Sequence, residues 1–227
     1  MDTIKKRRSV HAGLVARPFT ISIHGCGGTG CYVIQNVVKL ARAMKELGHP
    51  GIKVSLCDND TVSQSNVIRQ AFSPADVGLN KAKVLVQRYR QFYGGSLDIS
   101  AVDRDVPGEV AIGCVDTKKA RENLFRKYYE SYINKFYYDC GNAANSGQVF
   151  VSPISPLDIK RLTTGKDDNQ PSCSTQQALE AQDLFVNSMV ANLVSAHLWN
   201  FLRHQKYNKW HDLFFNLSTL ECATRAK

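Results

Sequence analysis

The residues best suited to chemistry begin with a glycine-rich turn near the start of the chain. Gly25, Gly27, Gly28 and Gly30 lie in this turn, between an alternating apolar segment and a segment with helical periodicity. Glycines let a ligand approach the backbone closely, and the N–H groups at the start of a helix favour phosphate. The turn therefore predicts a nucleotide-binding loop, although the same pattern also serves NAD, FAD, S-adenosylmethionine and ATP.

Polar side chains farther along suit the other parts of a nucleotide. Asp58 directly follows the second predicted strand, where a carboxylate can accept hydrogen bonds from ribose hydroxyls. The amide of Asn66 can donate to an acceptor oxygen. Arg69 and Lys81 can balance phosphate charge, because guanidinium and ammonium groups both bind phosphate oxygens. Asp116 follows a later predicted strand, at the carboxyl edge of the sheet where a Mg²⁺ ligand would lie.

Several of these residues also have a purely structural interpretation. Arg69 and Asp76 could form a surface ion pair, and Lys81 could be a solvated helix residue. Asp116 could cap a helix, and we interpret Asp60 as a residue that closes the loop after a strand. The ordered set, more than any single residue, favours the functional interpretation.

The elements that must position these groups alternate between strands and helices. Strands are predicted at 19–24, 52–57, 97–102, 110–115, 136–140, 148–152 and 213–220, and helices at 29–47, 77–92, 117–132 and 174–202. This alternation predicts an α/β fold, a doubly wound, Rossmann-like and mostly parallel sheet with helices on both faces and antiparallel strands toward the C-terminus. We expect a basic arm over 1–18 and one domain over 19–227, with a polar, proline-containing crossover loop at about 153–175.

The segment after the second strand carries a family resemblance. Residues 58–70 read DNDTVSQSNVIRQ, then comes Phe72, and residues 76–81 read DVGLNK. This order resembles the ThiF/MoeB/HesA family and the adenylation domains of ubiquitin-activating enzymes, whose pattern is D-x-D-x-V-x-x-S-N-L-x-R-Q followed by F and D-V-G-x-x-K. Val67 replaces the usual leucine.

Later motifs extend the resemblance over roughly 19–220. Cys114 to Asp116 with Arg121 resembles the family's C-x-D-N-x-x-x-R stretch, with Thr117 in place of the asparagine. The DCG at 139–141 and the GQV at 147–149 resemble the strand pair that follows. Within the family the chain looks most like the ThiF-type proteins of bacterial PRTRC gene systems.

The resemblance implies an enzyme that uses ATP and Mg²⁺ to adenylate the C-terminal carboxylate of a ubiquitin-like or sulfur-carrier protein. Arg69, Lys81 and Asp116 would then be catalytic, with Asp116 as the Mg²⁺ ligand. It also implies a homodimer and allows for a downstream conjugating enzyme. Family members often borrow an arginine from the partner subunit, and the candidates here are Arg7, Arg8 and Arg17.

Cys173 lies in the predicted crossover loop, just before the predicted long helix. In the resembling family this loop carries the cysteine that receives the activated C-terminus. The start of a helix and the nearby Lys160, Arg161 and Lys166 would favour the thiolate, which is the nucleophilic form. A loop cysteine without a role is the alternative, because some members of the family adenylate without one.

Composition limits the remaining classes. The 227 residues include 43% hydrophobic and 22% charged residues, which are ordinary values for a folded domain. There is no apolar run long enough for a membrane span and no clear signal peptide, so we expect a cytoplasmic protein. The 29 basic and 20 acidic residues give a net charge of +9, which suits an anionic partner without a motif for specific nucleic-acid binding. The seven cysteines form no C-x-x-C pair and the histidines show no ligand spacing, so we expect no zinc.

Two other functions fit part of the sequence. An NAD-dependent oxidoreductase would use Gly25, Gly27 and Gly30, but it leaves Arg69 and Lys81 unexplained. A non-catalytic scaffold that binds a carrier protein is the second alternative, although it does not require the complete set of nucleotide-site residues. Binding of ATP with Mg²⁺, compared with binding of NAD, separates these interpretations.

Overall fold

The computed structural model describes residues 16–67, 69–103, 108–129, 136–151, 180, 182–204 and 211–226. Eight strands form one sheet in the order β3-β2-β1-β4-β5-β6-β7-β8. The strands are β1 (Phe19–His24), β2 (Ile52–Cys57), β3 (Ile99–Ala101), β4 (Val110–Gly113), β5 (Phe136–Asn142), β6 (Ser146–Val151), β7 (His211–Asn216) and β8 (Glu221–Ala226). The longer helices are α1 (Gly28–Glu46), α2 (Lys81–Tyr93), α3 (Lys118–Tyr129) and α4 (Val186–His204).

The sheet changes direction along its width. β3, β2, β1, β4 and β5 pair in parallel, whereas β5 to β8 pair antiparallel. β1 lies between β2 and β4, so the chain order reverses at this point. In open α/β sheets, ligands bind in the crevice at the carboxyl ends of the strands beside such a reversal. The predicted doubly wound sheet, with its antiparallel C-terminal part, is confirmed.

Helices cover both faces of the sheet. The larger apolar cluster joins the strands to α1, α2 and α4, with fully buried side chains such as Ile21, Ile34 and Leu198. The smaller cluster packs Leu124 and Phe125 of α3 against the other face. Burial of the apolar stripe of each helix therefore fixes where its first turn lies relative to the crevice.

Two predicted helix boundaries are wrong. α2 begins at Lys81 and not at 77, because Asn80 caps it by accepting a hydrogen bond from the Lys83 N–H at 3.0 Å. The single helix predicted over 174–202 is interrupted, since 182–185 form a turn and α4 begins at Val186. In that turn the Asp183 side chain accepts from the Phe185 N–H at 3.0 Å, which sets the entry into α4.

The last predicted strand also differs from the structure. The closing strand predicted at 213–220 is two strands, β7 and β8, joined by a turn at 217–220. Within the part of the chain that the structure describes, no helix combines the length and the apolar character that a membrane crossing requires.

Candidate nucleotide-binding site

The glycine loop lies over the carboxyl ends of β1, β2 and β4. Gly25 has φ of +88°, and a Cβ on it would lie 2.6 Å from the Cys114 carbonyl oxygen. A Cβ on Gly30 would lie 1.9 Å from the Gly25 carbonyl oxygen, so α1 could not start where it does with a larger residue. A Cβ on Gly27 would meet no atom of the described residues outside its own turn within 4 Å. The loop is therefore closely packed on its inner side and open at its tip, above the first turn of α1.

The carboxylate of Asp58 joins this loop to the end of β2. It accepts hydrogen bonds from the N–H of Cys26 at 2.5 Å and from the N–H of Asp60 at 2.8 Å. Burial raises the pKa of Asp58, against the opposing effect of these two N–H groups and of Lys81. Asp58 thus organises the loop backbone, and its oxygens retain lone pairs that a ribose hydroxyl could use.

Lys81 lies at the first position of α2 with its side chain buried. Its ammonium group is 3.1 Å from the Asp60 carboxylate, which is itself largely exposed. The Asn80 amide donates to the carbonyl oxygens of Asp58 and Asp60 at 2.9 and 3.3 Å, so the start of α2 is fastened to the segment after β2. The interpretation of Lys81 as a solvated residue is therefore wrong, and Asp60 acts as its partner.

Asn66 is buried in the short turn that follows this segment. Its side-chain oxygen accepts a hydrogen bond from the Ser63 N–H at 2.9 Å. The oxygen is thus used within the turn, and the amide nitrogen is the part of Asn66 that can donate to a ligand.

Arg69 is the half-buried cation of the site. Its Nη1 lies 3.4 Å from the Gln182 side-chain oxygen, and its buried Nε has no hydrogen-bond partner in the described part of the chain. Burial lowers the pKa of Arg69. Among the described residues no carboxylate pairs with it, because Asp76 is paired with Arg88 at 2.5 Å. The proposed surface pair of Arg69 with Asp76 is therefore wrong, and the guanidinium has donors to spare.

A network of neutral polar groups connects Arg69 to the start of α1. The Asn187 oxygen accepts from the Thr29 hydroxyl at 2.9 Å and from the Asn142 amide at 2.7 Å. The Asn187 amide donates to the Gln182 oxygen at 2.8 Å, the same oxygen that faces Arg69. Thr29, Asn142, Gln182 and Asn187 were not among the residues predicted from the sequence. A polar Asn in the apolar pattern of α4 was the available signal.

Asp116 lies beyond β4, exposed at the carboxyl edge of the sheet. Thr117 caps α3, because its hydroxyl oxygen accepts from the Ala120 N–H at 3.2 Å. Among the described residues no group of three His, Cys, Asp or Glu side chains could hold a metal ion. A single carboxylate still suits Mg²⁺, which commonly binds one or two protein carboxylates together with substrate phosphates.

Arg121 and Asp139 form a second charged group, beneath the position of Asp116. Arg121 Nε lies 3.4 Å from the Asp139 carboxylate, which is fully buried. Arg121 also donates to the Cys140 carbonyl oxygen at 3.1 Å, and more distantly to that of Val115 at 3.5 Å. Burial raises the pKa of Asp139, and both Arg121 and the Tyr137 hydroxyl act against that shift. This pair joins the ends of β4 and β5.

Several predicted residues lie outside the described part of the chain. They are Arg7, Arg8, Cys173 and the crossover loop at 153–175. Arg17 is described, and it pairs with Glu109 of its own chain at 2.9 Å. α4 begins at Val186, and the role of Cys173 stays a prediction.

The profile of the ThiF family matches residues 15–226. No curated protein matches the sequence.

Solved structures share the fold at low sequence identity. MccB from E. coli, crystallised with succinimide, has a TM-score of 0.64 and 19% identity, over 96% of this chain and 66% of MccB. MccB with AMPCPP and MccA has a TM-score of 0.64 and 18% identity, over 96% and 66%. PaaA has a TM-score of 0.61 and 16% identity, again over 96% and 66%. The chain thus spans about two thirds of the length of these proteins.

Proposed function

This chain belongs to the ThiF family, and we propose that it uses ATP to adenylate the C-terminal carboxylate of a small carrier protein or peptide. A carboxylate oxygen attacks the α-phosphorus, the bond to the β-phosphate oxygen breaks, and pyrophosphate leaves with the electron pair. The product is an acyl-adenylate. In such a reaction the protein mainly holds the reactants in line and balances charge.

One observation carries this proposal: a half-buried guanidinium, with no carboxylate partner among the described residues, lies beside a glycine loop that opens onto a helix start. The Tyr32 hydroxyl bonds the Arg69 carbonyl oxygen at 3.5 Å, and the Ala71 N–H bonds Cys31 at 3.2 Å. Both contacts fix the segment of Arg69 against α1. We assign the phosphates to the loop at Gly25, Gly27, Gly28 and Gly30, with Arg69 as the cation that meets them.

The other site residues take the roles that their surroundings support. Asp58 would accept from the ribose while it holds the loop, and Asn66 would donate through its amide. Lys81, already aligned by Asp60, would add positive charge at the phosphates. Asp116 would hold Mg²⁺ that arrives with the nucleotide, and this ion would neutralise phosphate charge as pyrophosphate forms.

We propose a ubiquitin-like or sulfur-carrier protein as the substrate, and a cytoplasmic homodimer as the working form. The MccB structures were solved with ATP and with MccA, which supports a nucleotide and a second substrate on this fold. The finer likeness to the PRTRC-type proteins, and a downstream conjugating enzyme, stay predictions. Light scattering tests the dimer, and an active monomer at micromolar concentration would contradict it.

The activity is tested by ATP–pyrophosphate exchange and by calorimetry with Mg·ATP and with NAD. The acceptor to try is a small protein with a flexible C-terminal tail encoded beside this chain. The control is the same protein without its last residues. We expect exchange only with the intact tail, and binding of Mg·ATP in preference to NAD. Preferred binding of NAD would favour the oxidoreductase, and binding of ATP without exchange would favour the scaffold.

We further propose that Cys173 accepts the activated carrier. Its thiolate would attack the acyl carbonyl carbon, a thioester would form, and AMP would leave. Cys173→Ser should then abolish a reductant-sensitive adduct but retain pyrophosphate exchange. Cys222→Ser is the matched control, because Cys222 is an exposed free thiol far along the chain. An adduct that survives Cys173→Ser would refute the acceptor role and leave an adenylation-only enzyme.

A further inference from the structure

We propose that Gln182 and Asn187 are positioning residues that set the Arg69 guanidinium against the nucleotide phosphates. The inference rests on the proposed function and deepens it, because it identifies what orients the cation of that site. Neither residue belongs to the glycine loop or to the segment at 58–81 that carries the family motif. Both lie far along the chain, at the entry to α4.

Asn187 is the centre of the arrangement. It is only 1% exposed, and both its oxygen and its nitrogen are used. A Cβ built on Gly28 would lie 2.9 Å from the Asn187 amide nitrogen, so this side chain packs directly on the first residue of α1. The helix start that faces the phosphates is therefore held by a buried carboxamide from α4.

Gln182 connects Asn187 to Arg69 through its side-chain oxygen. Its nitrogen donates to the Ala143 carbonyl oxygen at 3.1 Å, which orients the carboxamide. Its oxygen then accepts from Asn187 at 2.8 Å and faces Arg69 Nη1 at 3.4 Å. The contact between Arg69 Nη1 and the Gln182 oxygen is long. The carboxamide can therefore orient the guanidinium but binds it less tightly than a carboxylate would.

The partner of Arg69 is a neutral carboxamide, that of Gln182, and its neutrality matters. A carboxylate at position 182 would neutralise Arg69 and compete with phosphate, whereas a neutral oxygen leaves the full charge for a ligand. The buried Nε without a partner is a second, independent sign that the guanidinium is arranged for something else to bind. If the network served only to join α4 to α1, it would not need to include an unsatisfied cation.

The test uses the full chain and Mg·ATP. Gln182→Met removes the acceptor but keeps the length of the side chain. Asn192→Ala is the matched control, because Asn192 is exposed on α4 and accepts from the Asn36 amide at 3.0 Å, away from Arg69. We expect Gln182→Met to lower kcat of exchange about tenfold and to raise the KM for ATP about threefold, as a smaller copy of Arg69→Ala. Asn192→Ala should match the wild type.

A double-mutant cycle separates positioning from folding. In an Arg69→Lys background, Gln182→Met should change Mg·ATP affinity by less than about twofold, because the group that it positions is already altered. Additive losses, or unchanged kinetics in Gln182→Met, would overturn this inference while the proposed function stands. Asn187→Leu is a second variant, since it keeps the shape of the side chain but cannot donate to Gln182, and it too should lose affinity only when Arg69 is present. A wild-type chain that binds no Mg·ATP would overturn the proposed function and this inference together.

Discussion

Arg69 and Arg121 both lie near the crevice, but their surroundings differ. Arg121 faces the buried carboxylate of Asp139 and donates to backbone carbonyl oxygens of two neighbouring strand ends. Arg69 faces a neutral carboxamide at 3.4 Å, and none of the described residues pairs with its Nε. An arginine is thus paired with a carboxylate and carbonyl oxygens in one region, whereas in the other it keeps a buried donor that no described residue accepts.

The difference has an energetic meaning. A buried donor without a partner costs stability, typically about 1–3 kcal/mol. A nearby carboxylate would remove such a cost, so a guanidinium with an unpaired donor points to a ligand, whereas a fully paired one does not. We therefore expect Arg69 to matter for activity and Arg121 to matter for stability, and four experiments can test this contrast.

The largest effect should come from Arg69→Ala. Loss of a cation that meets charge developing at the phosphates should lower kcat by about 100-fold or more, with a smaller effect on the KM for ATP. The free energy of unfolding should stay unchanged or rise slightly, because an unsatisfied buried donor is removed. Exchange kinetics measure kcat and the KM for ATP, and urea denaturation measures the free energy of unfolding. Arg126→Ala is the control, because Arg126 forms an exposed ion pair with Glu122 on α3. A destabilised Arg69→Ala protein with normal turnover would break the contrast.

Arg121→Met should instead destabilise the protein. Removing one partner of a buried ion pair leaves Asp139 uncompensated, at a cost of about 3 kcal/mol. Adding Asp139→Asn should recover much of this loss, because the buried charge is removed as well. Urea denaturation of the single and double variants measures both steps. A single variant as stable as the wild type would show that the pair does not hold the ends of β4 and β5.

Lys81 lies between these two cases, since it is buried but paired with an exposed acid. Lys81→Met should weaken Mg·ATP binding about tenfold, as expected for the loss of one charged hydrogen bond. Asp60→Asn keeps the ammonium group and should change the affinity by less than about threefold. Calorimetry measures both. Equal losses in the two variants would mean that Lys81 acts mainly through its pair with Asp60.

The smallest effect concerns pH. Burial raises the pKa of Asp139, so the folded state favours its protonated form. The stabilising contribution is then fully present below the ordinary Asp pKa and is lost as pH rises through the raised pKa of the folded state. The difference in unfolding free energy between wild type and Asp139→Asn should accordingly shift against the wild type as pH increases across the acid range. A difference that is independent of pH would contradict the raised pKa.

The sequence predicted the parallel half of the molecule well. Glycines, alternating apolar strands and the segment at 58–81 are local signals, and β1, β2 and α1 lie within a residue or two of their predicted ends. The start of α4 and the strand β8 were missed. A turn set by Asp183, and an edge strand with every residue exposed, carry little apolar periodicity.

The sequence predicted single residues of the site better than the contacts between them. The sequence identified Arg69 and Lys81 as candidates, but it could not show that Asp60 is the partner of Lys81. The link from Thr29 through Asn187 to Gln182 joins residues that are far apart along the chain. Such contacts depend on how α4 packs against α1, and single-sequence patterns do not contain that information.

The bond between Asp58 and the Cys26 N–H has a consequence for the thermodynamics of binding. Because the loop is already folded onto β2, a nucleotide need not order the backbone on arrival, and association loses little chain entropy. Its heat-capacity change should therefore be modest and set by the surface that the nucleotide itself covers. A loop that folded on binding would give a far more negative value.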